Sequence, residues 1–274
     1  MIIYKNQYIT VFQSALFQTT STVIILPEFV LVVDPTWLPA EVEQIKEYVY
    51  RNKGDRKLYL LFTHSDWDHI IGYGAFPDAT IIASFELVNK DHKEKVRILE
   101  QIYSFDDRNY IERGYEITYP KVNHVIQVDG EQLTIEGTTL TFYKAQGHTD
   151  CGLFTVIEPL GIFLAGDYLS DCEFPLIYHS SKAYELTLNK VDGILEQHDI
   201  KLMIPGHGAV TEDKSIIKQR KLESMTYIKQ LRALLQENNK EQIEKMIEKY
   251  RFPRMMKDFH KENQQLLSRE LGIS

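Results

Sequence analysis

Two histidines and two aspartates crowd into one short stretch, His64-Ser65-Asp66-Trp67-Asp68-His69. Three more groups with donor atoms, His148, Asp167 and His207, each follow a glycine further along the chain. Neutral imidazole and carboxylate are ligands for zinc, iron and manganese, and such a site needs no thiolate. A tight loop with two of each can reach two ions at once, and a lone carboxylate such as Asp167 can bridge them. Two ions roughly 3.5–4 Å apart bring the pKa of a shared water toward about 7 and polarise a substrate oxygen. One His-x-Asp segment alone is usually a solvated loop, and one Gly-His pair is weak. Four such pieces, each placed just after an expected strand, point to a metal centre.

The placement follows from apolar runs that stop where the donors begin. Leu58–Phe62 runs into the His64 loop, a strand ending near Lys144 precedes His148, Ile162–Ala165 precedes Asp167, and Lys201–Ile204 precedes His207. Continuous apolar runs of this length read as buried strands, and loops fed by rigid strands are where convergent ligands sit. Further strands are expected over Tyr8–Phe17, Thr22–Leu26, Phe29–Val33, Ala79–Ala83, His124–Val128, Gln132–Ile135, Thr139–Lys144 and Leu153–Ile157. A helix should open at Leu38-Pro39-Ala40-Glu41, with proline and an acid in its first turn. Another is expected over Ser180–Gln197, and from Asp213 the pattern is helical, broken at Pro253. Strands and helices thus alternate twice before a helical tail, which suggests an α/β fold with two sheets packed face to face and helices outside. The expected organisation is a domain over residues 1–212, with a helical insertion at about 84–119, and a helical extension over 213–274.

Composition narrows the function. The chain has 31 Lys and Arg against 39 Asp and Glu, a net charge of -8. That argues against a sequence-independent grip on nucleic acid and favours a small-molecule substrate. Two cysteines, Cys151 and Cys172, are too few to staple a secreted scaffold. The first residues show no basic segment followed by an apolar run, and no apolar stretch nears the roughly 20 residues of a membrane span. A cytoplasmic location without membrane contact is expected. Met225, Ile228, Leu231 and Leu235 fall at helical spacing, as a packing stripe that could also serve a homodimer contact.

Taken together, the donor segments resemble those of the metallo-β-lactamase superfamily. That family carries His-x-His-x-Asp-His after a strand, then Gly-His-Thr, Gly-Asp and Pro-Gly-His. Here these read His64-Ser65-Asp66-Trp67-Asp68-His69, Gly147-His148-Thr149, Gly166-Asp167 and Pro205-Gly206-His207. Asp34, ending an early strand, is similar to the family's first Asp, which supports the motif loop. The resemblance spans roughly residues 8 to 210 and implies a four-layer αββα sandwich. It also implies that His64 and His148 bind a first metal, that Asp68, His69 and His207 bind a second, and that Asp167 bridges. One position departs: the family's second His is Asp66 here. As a ligand, Asp66 makes the first site harder and more anionic, shifting preference toward iron or manganese. Otherwise it is an acid behind the ligands, and the site is mononuclear. Flavodiiron proteins place Glu at this position and bind two irons, but no flavodoxin-like domain is expected in these 274 residues, so their reaction is not the one expected here.

The expected function is a metal-dependent hydrolase that activates water toward a small ester, thioester, lactone, amide or phosphoester. The expected cofactor is two divalent metal ions, zinc first, with iron and manganese as alternatives. Asp68 or Asp66 would shuttle a proton. Two other readings stay open: an iron-dependent oxidoreductase of the same fold, and a metal-binding protein with little catalysis. Trp67 either walls the pocket or anchors the ligand loop. Tyr168 is expected in packing rather than on substrate, and His260 on the exposed face of a tail helix.

Overall fold

A computed structural model describes residues 1–273. The strands form two sheets, and the chain divides into two compact units, Met1–Tyr143 and Lys144–Ser274.

The first unit opens with an antiparallel meander of β1 (Ile2–Lys5), β2 (Ile9–Gln13), β3 (Thr20–Ile25) and β4 (Phe29–Val33). From β4 the sheet continues in parallel through β5 (Lys57–Leu61), β6 (Thr80–Ser84) and β7 (His124–Ile126). The change of pairing follows from the connections. Short turns join the meander, whereas the helix α1 (Pro39–Lys53) crosses from β4 to β5, as parallel pairing requires. All of β4 and most of β5 is buried, so both lie inside the sheet with their two faces covered. Val42, Ile45 and Val49 of α1 are the buried stripe that packs on β3 and β4. Val33 pairs with Leu61 and Leu61 with Ile82. The parallel strands therefore end in register, and the loops beyond them leave from one edge, where open α/β sheets bind their ligands.

After β5 come α2 (Trp67–Ile70), and after β6 the short α3 (Phe85–Val88) and α4 (His92–Asn109). The expected insertion at 84–119 is helical only in part. Asp91 caps α4 with a reciprocal bond to Glu94, Tyr110 ends it in a left-handed conformation, and residues 110–123 follow without regular structure. A hairpin of β8 (Glu131–Ile135) and β9 (Thr138–Lys144) ends the unit.

In the second unit β10 (Leu153–Glu158) pairs antiparallel with β11 (Ile162–Leu164), and β12 (Leu202–Ile204) lies parallel to β11. Helix α5 (Ser181–Gln197) is the crossover between them. The tail holds α6 (Lys214–Gln236), α7 (Lys240–Lys245) and α8 (Pro253–Leu271), with α6 packing on α5, α7 and α8. The chain is thus a mixed α/β protein with two sheets flanked by helices and a helical C-terminal extension. Sequence patterning missed β1, which is short and half exposed. It also joined α6 to α7, which part at Asn238, a residue with positive φ, and Asn239, the cap of α7.

Candidate metal centre

In the first unit the donors stand on the two loops that leave β4 and β5. Asp34 follows Val33 with a positive φ of 44°, a backbone state that Asp tolerates better than most residues. The Oγ of Ser21 donates to its carbonyl at 2.7 Å, which fixes the bend. Its carboxylate faces the β5 loop. Oδ1 accepts from the Thr63 amide at 2.9 Å, and Oδ2 accepts from the Thr63 hydroxyl at 2.5 Å and from Nδ1 of His69 at 3.0 Å. Since the Thr63 hydrogen is spent on Asp34, Nδ1 of His64 donates to Thr63 Oγ1, at 3.0 Å. Thr36 Oγ1 donates to the Asp68 carbonyl at 2.6 Å.

These bonds set the tautomers. In the neutral ring His64 and His69 carry the proton on Nδ1, which makes Nε2 the electron-pair donor. Nε2 of His64 lies 3.8 Å from Asp66 Oδ2, and Nε2 of His69 lies 3.4 Å from Asp68 Oδ2. The two rings are 4.1 Å apart, and Asp34, His64 and His69 are all buried. Asp66, with its side chain 25% exposed, is the most open of the loop's four donors.

Trp67 is wedged between Trp37, at 4.6 Å, and Phe105 of α4, at 5.2 Å. Of its two expected roles, the anchor is the one these contacts describe. Trp37 is itself held by its indole N–H on Thr19 and by Arg113, whose guanidinium donates to the Trp37 carbonyl and, bidentately, to Asp106 of α4. The pairing with Asp106 raises the pKa of Arg113, although burial opposes it. Arg113 and Asp106 were not legible as site supports, because an Arg-Asp pair in a charged helical segment reads as solvated surface.

In the second unit the register of two strands places two donors. Leu164 pairs with Ile204, and Asp167 and His207 each stand three residues beyond that pair. The Gly206 amide donates to the Gly166 carbonyl at 2.6 Å, which holds the two loops side by side. A Cβ at Gly206 would sit 2.2 Å from Asp167 Oδ1 and 2.9 Å from the backbone carbonyl carbon of Gly166, so glycine permits this close approach. Arg220 of α6 donates to the carbonyls of Leu169 and Ala209, tying the same loops together further out.

Nε2 of His148 and Nε2 of His207 both face Asp167 Oδ2, at 3.1 and 3.3 Å. Nδ1 of His148 donates to the Leu176 carbonyl at 2.7 Å, so its Nε2 too is an electron-pair donor. Nδ1 of His207 is 3.9 Å from Oε1 of Glu173, which is ion-pair range. Glu173 was not anticipated from sequence; nothing in its spacing sets it apart. Tyr168 packs rather than projecting. Its ring lies 4.1 Å from that of Tyr184, its hydroxyl donates to the Gln146 carbonyl and accepts from the His148 amide, and burial raises its pKa. Burial pushes the Cys172 thiol up to about 12.

The donor chemistry fits a cation. His64, His69 and His148 each have Nδ1 committed as a donor and Nε2 turned toward a carboxylate oxygen 3.1–3.8 Å away. With neutral imidazoles a lone pair faces each carboxylate, an arrangement that a cation held between them makes favourable. Metal-bound histidines show this pattern, with the far nitrogen fixed by a carboxylate, carbonyl or hydroxyl. The set thus suits divalent metal ions.

Comparison with known proteins agrees. No curated protein sequence matches the chain. A metallo-beta-lactamase family protein from Thermus thermophilus is 19% identical, with 97% of this chain and 93% of that one covered at a TM-score of 0.66. The DIM-1 metallo-beta-lactamase is 16% identical over 82% of this chain and 96% of that one, at 0.55. An archaeal metallo-beta-lactamase superfamily protein from Sulfolobus tokodaii is 16% identical over 83% and 87%, at 0.51. At such identities the likeness is one of fold, and it bears out the expected αββα class. A family profile described as the metallo-beta-lactamase superfamily matches residues 15–219, a span that contains every donor described above. On that match, the chain belongs to the metallo-beta-lactamase superfamily.

Proposed function

We propose that the chain is a metal-dependent hydrolase of small ester, thioester, lactone or phosphoester substrates. Its ligand set is His64, Asp66, Asp68, His69, His148, Asp167 and His207, for two divalent ions with zinc first. One observation carries the reading: three histidines with Nδ1 committed to an acceptor all turn Nε2 toward a carboxylate. When bound, such ions supply a water of lowered pKa and a positive charge for the oxygen that becomes anionic. The protein's own part is positional and protonic. Asp34, Thr63 and the Leu176 carbonyl hold imidazoles in place, as a site that must not reorganise during reaction requires. Asp66 and Asp68 are the carboxylates beside the imidazole Nε2 atoms, and take up and return the proton of the attacking water.

A small-molecule substrate fits the acidic net charge of -8. No helix of the described residues is long and apolar enough to cross a membrane. Cytoplasmic location remains part of the proposal. Asp66 supports a second reading, an iron-dependent oxidoreductase, because a carboxylate in place of imidazole favours harder ions. The test is elemental analysis of freshly purified protein, followed by turnover of generic esters, thioesters, lactones and phosphodiesters after loading with zinc, manganese or iron. Hydrolysis of at least one class, abolished by His64→Ala, His148→Ala or His207→Ala, is expected. Bound metal with no hydrolysis under any loading overturns the hydrolase, and iron as the metal found then favours the second reading.

A further inference from the structure

We infer that the C-terminal helix α8 is a positioning element for His148, acting through the strap of residues 175–181. The inference rests on the reading of His148 as a ligand. The strap wraps the histidine. The Leu176 carbonyl accepts from His148 Nδ1 at 2.7 Å, and the Tyr178 and His179 amides donate to the His148 carbonyl at 2.9 and 3.1 Å. The Ser180 amide donates to the Gly147 carbonyl, and the Tyr178 ring lies 5.1 Å from the imidazole. Helix α8 pins this strap near both ends. Near the first end, Asn263 Nδ2 donates to the Pro175 carbonyl at 2.6 Å while its Oδ1 accepts from the Ile177 amide at 2.9 Å. The two peptide groups flank Leu176, so one amide side chain fixes the carbonyl that orients His148. At the other end, Glu270 accepts from the Ser180 hydroxyl at 2.9 Å, from the Ser181 amide at 3.0 Å and from the Ser181 hydroxyl.

Asn263 is 1% exposed, and its own orientation is forced. The Ile243 carbonyl can only accept, so His260 Nε2 donates to it, at 2.9 Å. His260 Nδ1 must then accept from the Tyr227 hydroxyl, at 2.7 Å, and the Tyr227 oxygen accepts from Asn263 Nδ2 at 3.0 Å. Donors and acceptors alternate along the chain without a free choice, and a satisfied buried network of this kind holds one geometry. His260 is therefore 3% exposed, not on the open face expected of it, because its two ring nitrogens complete this network.

The test is competitive chelator titration of zinc, with the absorption spectrum of the cobalt-substituted protein as a ligand-geometry signature, on the full chain. Asn263→Asp keeps the size and the acceptor but loses both donors. It should weaken zinc binding about tenfold to a hundredfold, the usual effect of removing support behind a ligand, and shift the cobalt bands. Glu270→Gln should move both in the same direction by less, and stands in if Asn263→Asp does not fold. Met256→Ala, an apolar truncation buried on the same helix, should lower stability and leave zinc affinity within about twofold of wild type. Wild-type zinc affinity in Asn263→Asp, or equal weakening in Met256→Ala, overturns the inference. His148→Ala separates the two levels. If it leaves metal binding unchanged, the ligand reading fails and this inference with it; if it weakens binding while Asn263→Asp does not, only the inference fails.

Discussion

Oδ2 of Asp34 lies 3.0 Å from Nδ1 of His69 and 2.5 Å from the hydroxyl of Thr63, so one carboxylate oxygen sets the orientation of two imidazoles, one directly and one through Thr63. The arrangement joins two strand ends that are far apart in sequence and adjacent in the sheet. Asp34→Ala would leave the Thr63 amide and hydroxyl and the His69 N–H without their acceptor in a buried place, each costing about 1–3 kcal/mol. The expected outcome is a loss of several kcal/mol of stability in the metal-free protein and a fall in zinc affinity of about tenfold to a hundredfold. Denaturant unfolding and chelator titration measure the two. An unchanged affinity would mean that Asp34 supports the fold alone.

Asp66 gives the second prediction. If it is a ligand, Asp66→Ala should lower the metal count by about one ion per chain, and Asp66→His should raise the share of zinc over iron and manganese, since imidazole is the softer donor. Elemental analysis of each variant grown in the same medium decides this. A count and metal preference equal to wild type in both variants would remove Asp66 from the ligand set.

Gly206 and Gly193 make a matched pair. At Gly206 a Cβ meets Asp167 Oδ1 at 2.2 Å and the Gly166 carbonyl carbon at 2.9 Å. Gly206→Ala should displace the Asp167 carboxylate or the loop that carries it, and metal binding should fall about tenfold or more even where the protein folds. At Gly193, inside α5, a Cβ meets only Gln197 Nε2, at 3.9 Å, so Gly193→Ala should stabilise by about 0.5–1 kcal/mol through helix propensity and leave metal binding alone. Equal metal binding in the two variants would show that the close approach at Gly206 is relieved without moving Asp167.

Most of the fold and the candidate donors were legible because their signals are local. An apolar run such as Phe29–Val33 is long enough to be a strand, and it stops at the residue where chemistry begins. The Gly that precedes each of His148, Asp167 and His207 marks the same kind of strand exit. The supports behind these donors carried no such signal. Asn263 meets Ile177 across 86 residues, Arg113 meets Trp37 across 76, and Arg220 meets Leu169 across 51. Each is one polar residue among many in a charged stretch, and only the packed chain shows which of them turns inward. His260 illustrates the cost: a polar stretch around it reads as solvent-facing, while the residue closes a buried network.

That burial has a consequence for pH. Desolvation lowers the pKa of His260 below its ordinary value of 6.5, against smaller opposing effects of its bond to the Ile243 carbonyl and of Glu244. In the unfolded chain the imidazole takes up a proton near pH 6.5, whereas in the folded chain it resists until lower pH. Below about pH 6.5 the unfolded state therefore binds more protons, and stability falls as pH falls toward the folded pKa; above it both states are neutral and this contribution is level. The measurement is urea unfolding of chelator-treated protein at several pH values from about 7.5 down to about 5.5, for wild type and His260→Gln. Glutamine can still donate to the Ile243 carbonyl but does not titrate, so its stability should fall less steeply over that window. Carboxylates elsewhere contribute the same slope to both proteins and cancel in the difference. Identical slopes would mean that His260 is protonated as readily in the folded chain as in the unfolded one, and that its burial imposes no cost on the charged ring.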